Sequence, residues 1–144
     1  MQDENAIQKL LSTYSQAASA GDWDRAIGTY MPDGVWDIPH LGMRLEGQKA
    51  IRAALNDMVA KMDYVIQMNS PALIELTGNT ATAHRGIREC GKSKGKDGGF
   101  EFLGFYADKL VRTDDGWKFV RRVFEGVGTH FFPLVKGEAH QGLW

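Results

Sequence analysis

Apolar residues in the first twenty positions recur at three- and four-residue steps: Ile7, Leu10, Leu11, Tyr14, Ala17 and Ala18. That spacing lays them along one stripe of an amphipathic helix, with Asp3 as its expected cap and Gly21 as its end. Asp22 suits the N-cap of a short second helix over residues 23–30, which Pro32 and the Asp33-Gly34 turn would stop. Residues 35–38 read as a brief strand, followed by a loop through Pro39 and Gly42. Ile51, Ala54, Leu55, Met58, Val59 and Met62 return to helical spacing and mark a third helix entered from Gly47. From Tyr64 onward the period shortens to two, which predicts strands over residues 64–68, 73–77, 80–90, 100–112 and 117–124. Gly78-Asn79 and Asp114-Asp115-Gly116 are tight-turn signals, so the strands they join are expected to form antiparallel hairpins. Residues 92–99, rich in glycine and lysine, read as a solvated hairpin tip. A phosphate-cradling loop would open onto a helix, whereas this one runs into a strand.

Three helices followed by a meander of long strands predict an α+β fold, a curved antiparallel sheet wrapped with the helices into a cone. A curled sheet closed on one side by helices leaves a concavity of the kind that takes a small apolar or aromatic ligand. A length of 144 residues suits one domain, here 1–144, which removes about two thirds of its unfolded surface from water. Charges nearly cancel, 17 basic against 18 acidic, and neither sign runs on, so neither nucleic acid nor an anionic membrane is an expected partner. Cys90 is the single cysteine, which excludes an internal disulfide or a cysteine metal cluster and suits a reducing, cytoplasmic compartment. Residues 1–5 are polar, without the basic start and apolar stretch of a secretory signal. No apolar run approaches the roughly 20 residues of a membrane span.

Residues 14–36, with Gly21-Asp22-Trp23-Asp24 and Asp33-Gly34-Val35-Trp36, form one matching stretch; the 78–83 hairpin is a second; Tyr106-Ala107-Asp108-Lys109 leading to Gly116-Trp117-Lys118-Phe119 is a third. Together they resemble the nuclear transport factor 2-like superfamily and, within it, the SnoaL-like and scytalone dehydratase-like group. The likeness covers nearly the whole chain and rests on structural motifs. It implies a cystatin-like conical barrel with an apolar lining and polar groups at depth, and commonly a homo-oligomer, dimer or trimer, built on the outer sheet face. Enzymes of the group are dehydratases, isomerases, cyclases, epoxide hydrolases and other lyases that use no metal or organic cofactor; other members carry out no catalysis.

Tyr14, on the apolar stripe of the first helix, matches the tyrosine that bile-acid dehydratases of this group use in their pocket. A hydroxyl aimed inward there donates to a substrate oxygen, or else serves only the core. The aspartate and histidine that the dehydratases pair fall at Ser19 and near Asn69, and neither residue can take and return a proton. The 80–90 strand offers replacements. Strict alternation puts Arg85 and Glu89 on the face of Ala81, Ala83 and Ile87. There Glu89 is a candidate base with a pKa raised by burial and Arg85 a candidate holder of an oxyanion, or the two form a structural ion pair. His84 falls on the opposite face unless a bulge swaps the faces, and it stays a candidate base on that condition.

Tyr106 is expected to line the pocket; Asp108 reads as a solvated edge residue. Trp36, Met58, Met62, Met68, Phe102 and Phe105 are candidates for the apolar wall, and Trp36, Tyr106, Met68 and Asn69 are taken as substrate-binding positions. His40, His130 and His140 fall in loops or the tail without metal-ligand spacing, so no metal site is expected. The apolar stretch at residues 130–135 is expected to cover the pocket mouth or a subunit interface. Two functions fit these residues. One is a cofactor-independent lyase of the dehydratase kind, acting on a small aromatic or polycyclic alcohol, with an isomerase as a close neighbour. The other is a small-molecule-binding protein without turnover.

Overall fold

The computed structural model describes residues 1–133. His140 and the last two residues of the apolar 130–135 stretch lie outside these. Helix α1 (Gln2–Ala20) ends where Gly21 takes a left-handed conformation, φ 73°, and its N–H reaches back to the last turn. Asp3 does not cap it. Its carboxylate instead accepts from Arg112 at 2.5 Å and from the Trp117 indole N–H at 3.2 Å, which ties the first turn to the far end of the sheet. Asp22 accepts from the Arg25 amide and starts α2 (Trp23–Ile27). This helix is shorter than the sequence suggests, because Tyr30 already pairs with Phe119. Strand β1 (Tyr30–Ile38) therefore absorbs Pro32 and Asp33-Gly34 as an irregular stretch between Tyr30 and Val35. A single 3-10 turn (Pro39–Leu41), closed by Gly42, leads into β2 (Met43–Glu46) and α3 (Gly47–Ala60).

The rest of the chain is sheet: β3 (Met62–Asn69), β4 (Leu73–Thr77), β5 (Thr80–Ser93), β6 (Gly98–Thr113) and β7 (Gly116–Pro133). The strand order is β2-β1-β7-β6-β5-β3, with β4 pairing β5. The sheet is curved and unclosed, and it is mixed: the expected antiparallel pairing holds everywhere except between β1 and β7, which run parallel. The architecture is α+β, as the order of patterns predicts.

Which side chains face the helices is set strand by strand. On β5 the alternation is strict, and Ala81, Ala83, Arg85 and Ile87 are all buried. On β7 it breaks. Trp117 and Phe119 face inward, but Val120 is one residue too many against the Lys109–Leu110 step of β6. This bulge moves the inward phase onto Arg122 and Phe124. A second extra residue, Val127, stands opposite the Leu103–Gly104 step. Gly104 is required there, since a Cβ on it would run into the carbonyl oxygen of Glu125. The core that results packs Ile7, Leu11 and Tyr14 of α1 against Tyr30, Tyr106 and Phe119 of the sheet.

Candidate functional site

A cavity of about 210 Å³ lies between the helices and the inner sheet face. Trp36, Leu55, Met58, Met62, Phe102 and Phe124 form much of its apolar wall, and Tyr14, Gln67, Glu89 and Tyr106 bring polar atoms into it. Each comes from the inward phase of its own element: Tyr14 from α1, Gln67 from β3, Glu89 from β5 and Tyr106 from β6.

Glu89 is the chemically distinctive group. The Gln67 amide N–H₂ donates to Glu89 Oε2 at 2.9 Å and also to the Tyr106 hydroxyl oxygen at 3.2 Å, so one side chain holds both. No cation pairs with Glu89 among the described residues. Burial disfavours its charged form and raises its pKa, with the Gln67 hydrogen bond acting in the opposite sense. Burial likewise raises the Tyr14 and Tyr106 hydroxyls, which keeps both neutral and able to donate.

Beneath these rings lies a buried ion pair. Arg122 donates to both Asp108 oxygens, at 2.8 and 2.9 Å, and neither side chain is exposed. The guanidinium carbon lies 3.7 Å from the Tyr106 ring centre, 4.2 Å from Phe119 and 4.4 Å from Tyr14. Burial alone would lower the Arg122 pKa, but the Asp108 carboxylate outweighs it and the net shift is upward. Asp108 is thus the counter-ion of the site's floor and not a solvated edge residue.

Arg85 and Glu89 share a face but form no ion pair. Arg85 turns toward α1, donating to the Leu11 carbonyl at 3.0 Å and to Ser15 Oγ at 2.9 Å. Burial and the charge on Arg122 lower its pKa to about 10. Asn69 donates to the same Ser15 oxygen at 2.7 Å. Ser19 Oγ accepts from the Gln67 backbone N–H at 3.0 Å. Arg85, Asn69 and Ser15 therefore form a polar seam beside the cavity rather than in its wall.

His84 is exposed on the outer sheet face, stacked on Phe105 with ring centres 5.2 Å apart. No bulge intervenes on β5, so the condition for its role as a base is not met. Met68 also faces outward, with Tyr64 and Ile66, because the inward residues of β3 are Val65, Gln67 and Asn69. Phe105 likewise leaves the wall. His40, placed by its sequence in a loop, stands at the mouth, its ring 5.1 Å from Phe102 and 5.6 Å from Phe124. Sequence reasoning missed Gln67, Arg122 and His40. Alternation on β3 was the signal for the first; the other two depend on a bulge and on a one-turn helix that leave no periodic trace. The described part of the 130–135 stretch continues β7 against residues 98–101 of β6.

Residues 1–123 match the family model of the SnoaL-like domain. The chain belongs to the SnoaL-like family. No curated protein matches it. This SnoaL-like chain is similar to a candidate aromatic ring hydroxylase of Novosphingobium aromaticivorans, with 23% identity and a TM-score of 0.84 over 91% of this chain and 94% of the other. A candidate scytalone dehydratase of the same organism is 18% identical with a TM-score of 0.82, and each chain is covered in full, 100% of both. The hexachlorocyclohexane dehydrochlorinase LinA-type3 of Novosphingobium barchaimii is 18% identical with a TM-score of 0.78, over 90% and 88% of the two chains. These likenesses establish the fold alone. Among the described residues no helix is long and apolar enough to cross a membrane.

Proposed function

We propose that this SnoaL-like protein is a cofactor-independent lyase of the dehydratase type, acting on a small hydroxylated aromatic compound. The observation that carries the reading is Glu89: a half-buried, desolvated carboxyl with no cation partner among the described residues, held by Gln67 beside Tyr106 in a largely apolar cavity. Such a group costs stability, and perturbed carboxyls of this kind cluster at functional sites. The dehydratase and dehydrochlorinase names among the similar structures favour an elimination. Cavity size limits the substrate. A cavity of about 150 Å³ takes benzene, so 210 Å³ suits one substituted ring or a compact pair of rings rather than a larger polycycle.

For a phenol with a hydroxyl on the benzylic carbon, the ionised Glu89 takes the phenolic proton and ring electrons expel the benzylic oxygen. The quinone methide left behind becomes a styrene when a side-chain carbon loses a proton and the ring oxygen regains one, so the net change is loss of water. Tyr14 and Tyr106 donate to the oxygens on which charge develops. An isomerase would use the same parts. The test is conversion of 4-(1-hydroxyethyl)phenol to 4-vinylphenol. Glu89→Gln should lower turnover by about a hundredfold or more while 4-ethylphenol still binds.

The second reading is a binding protein without turnover. It is favoured by Ser19 and Asn69, which stand where the dehydratase pair would and whose Oγ and Nδ2 make structural hydrogen bonds instead. Binding of both phenols with no product from the wild type would select it. The single thiol, Cys90, fits a reducing, cytoplasmic setting. The outer sheet face, where Ile66, Met68, Leu103, Phe105 and Val127 are each 40–68% exposed, is the proposed contact of a homo-oligomer.

A further inference from the structure

We infer that His40 is a second catalytic residue of this cavity, the acid that protonates the departing benzylic oxygen at the mouth while Glu89 works at depth. The assignment rests on the lyase reading above. Three observations support it. First, Glu89 and Phe102 are direct partners across β5 and β6, so their inward side chains start about 5 Å apart, and the His40 ring lies 5.1 Å from the Phe102 ring on the cavity side. Carboxyl and imidazole thus flank one phenyl ring, and an aromatic ligand lying over Phe102 presents one end to each.

Second, the imidazole is held in place and left with free nitrogens. Pro39 begins its one-turn helix, Gly42 closes it through an N–H to the Pro39 carbonyl at 3.0 Å, and Phe124 meets the His40 ring edge-on. No hydrogen bond occupies either ring nitrogen among the described residues. Gly126 makes room for the ring, since a Cβ there would lie 2.9 Å from His40 Nδ1 and 2.8 Å from Phe102 Cζ. Third, His40 is exposed to solvent whereas Glu89 is only partly so, its carboxyl drawn inward by Gln67. A proton given up at the mouth is replaced from water, which a buried acid cannot do between turnovers.

The step balances. As the C–O bond breaks, its electron pair goes to oxygen, which takes the proton of the His40 imidazolium and leaves as water. The neutral imidazole is then reprotonated by solvent. His84 and His130, the other described histidines, face away from the cavity or lie at the exposed end of β7, so neither competes for the role.

The test compares 4-(1-hydroxyethyl)phenol with 4-ethylphenol, which has the same ring without the leaving oxygen. His40→Phe keeps an aromatic ring against Phe102 and removes the donor. It should lower the affinity ratio of the alcohol to 4-ethylphenol by about tenfold and kcat on the alcohol by about a hundredfold. His40→Ala should regain part of its rate in added imidazole. Gly126→Ala, which pushes on the His40 and Phe102 rings without removing either, should lower kcat with far-ultraviolet circular dichroism unchanged. Full turnover in His40→Phe beside a dead Glu89→Gln would overturn the assignment and leave the lyase reading standing. A wild type that binds both phenols but releases no product overturns both.

Discussion

Glu89 couples the site to stability. Its carboxyl is raised above the ordinary carboxylate value in the folded chain, so the folded state holds its proton more tightly than the unfolded one. Stability is therefore greatest below the unfolded pKa and declines as pH rises through the folded pKa, where the buried group must ionise. Glu89→Gln removes the cost, so its Tm should exceed that of the wild type at neutral pH and converge with it in acid, as thermal unfolding across pH would read. The Arg122–Asp108 pair behaves differently. Arg122→Met alone should cost about 3–5 kcal/mol in urea unfolding, since it strands a buried carboxylate, and adding Asp108→Leu should recover much of the loss. Alternation made the inward turn of Glu89 and Arg85 legible in the sequence. Their separate partners were not, because a shared face says nothing about which neighbour a long side chain chooses. On β3 the sequence reading took both Met68 and Asn69 into the site, although adjacent strand residues point to opposite faces.

The helices and hairpins were legible because their signals are local: a stripe of period 3.6, a cap at Asp22, Gly21, and the Gly78-Asn79 and Asp115-Gly116 turns. The start of β1 and the inward phase of β7 were not, because both are decided by pairing with distant strands. Val120 adds one residue to β7, and the positions from there to the second bulge at Val127 change face. The second bulge allows a direct comparison between two glycines of the same ribbon. Gly104→Ala should destabilise by about 1–3 kcal/mol or more, its methyl group meeting the Glu125 carbonyl. Gly128→Ala, with nothing within 4 Å, should change stability by less than about 0.5 kcal/mol. Equal effects in denaturant titrations would mean that the bulge does not set the packing there.

At the scale of the molecule, inner and outer sheet faces divide the work. If the outer face joins subunits as proposed, Phe105→Glu should yield a monomer by light scattering that still binds 4-ethylphenol, because Phe105 shares nothing with the cavity wall. The α+β class and its pocket followed from the order of helical and strand patterns, whereas the parallel pairing of β1 with β7 has no sequence signature. That pairing sets the order in which the protein can become itself. Asp37 and Arg121, 84 positions apart, meet at 2.6 Å across it, and such a contact forms only after a long loop has been closed. Until β7 docks, Asp108 lacks the Arg122 guanidinium that binds both its oxygens. Docking of β7 thus joins β1 to β6 and neutralises the floor of the pocket in one event.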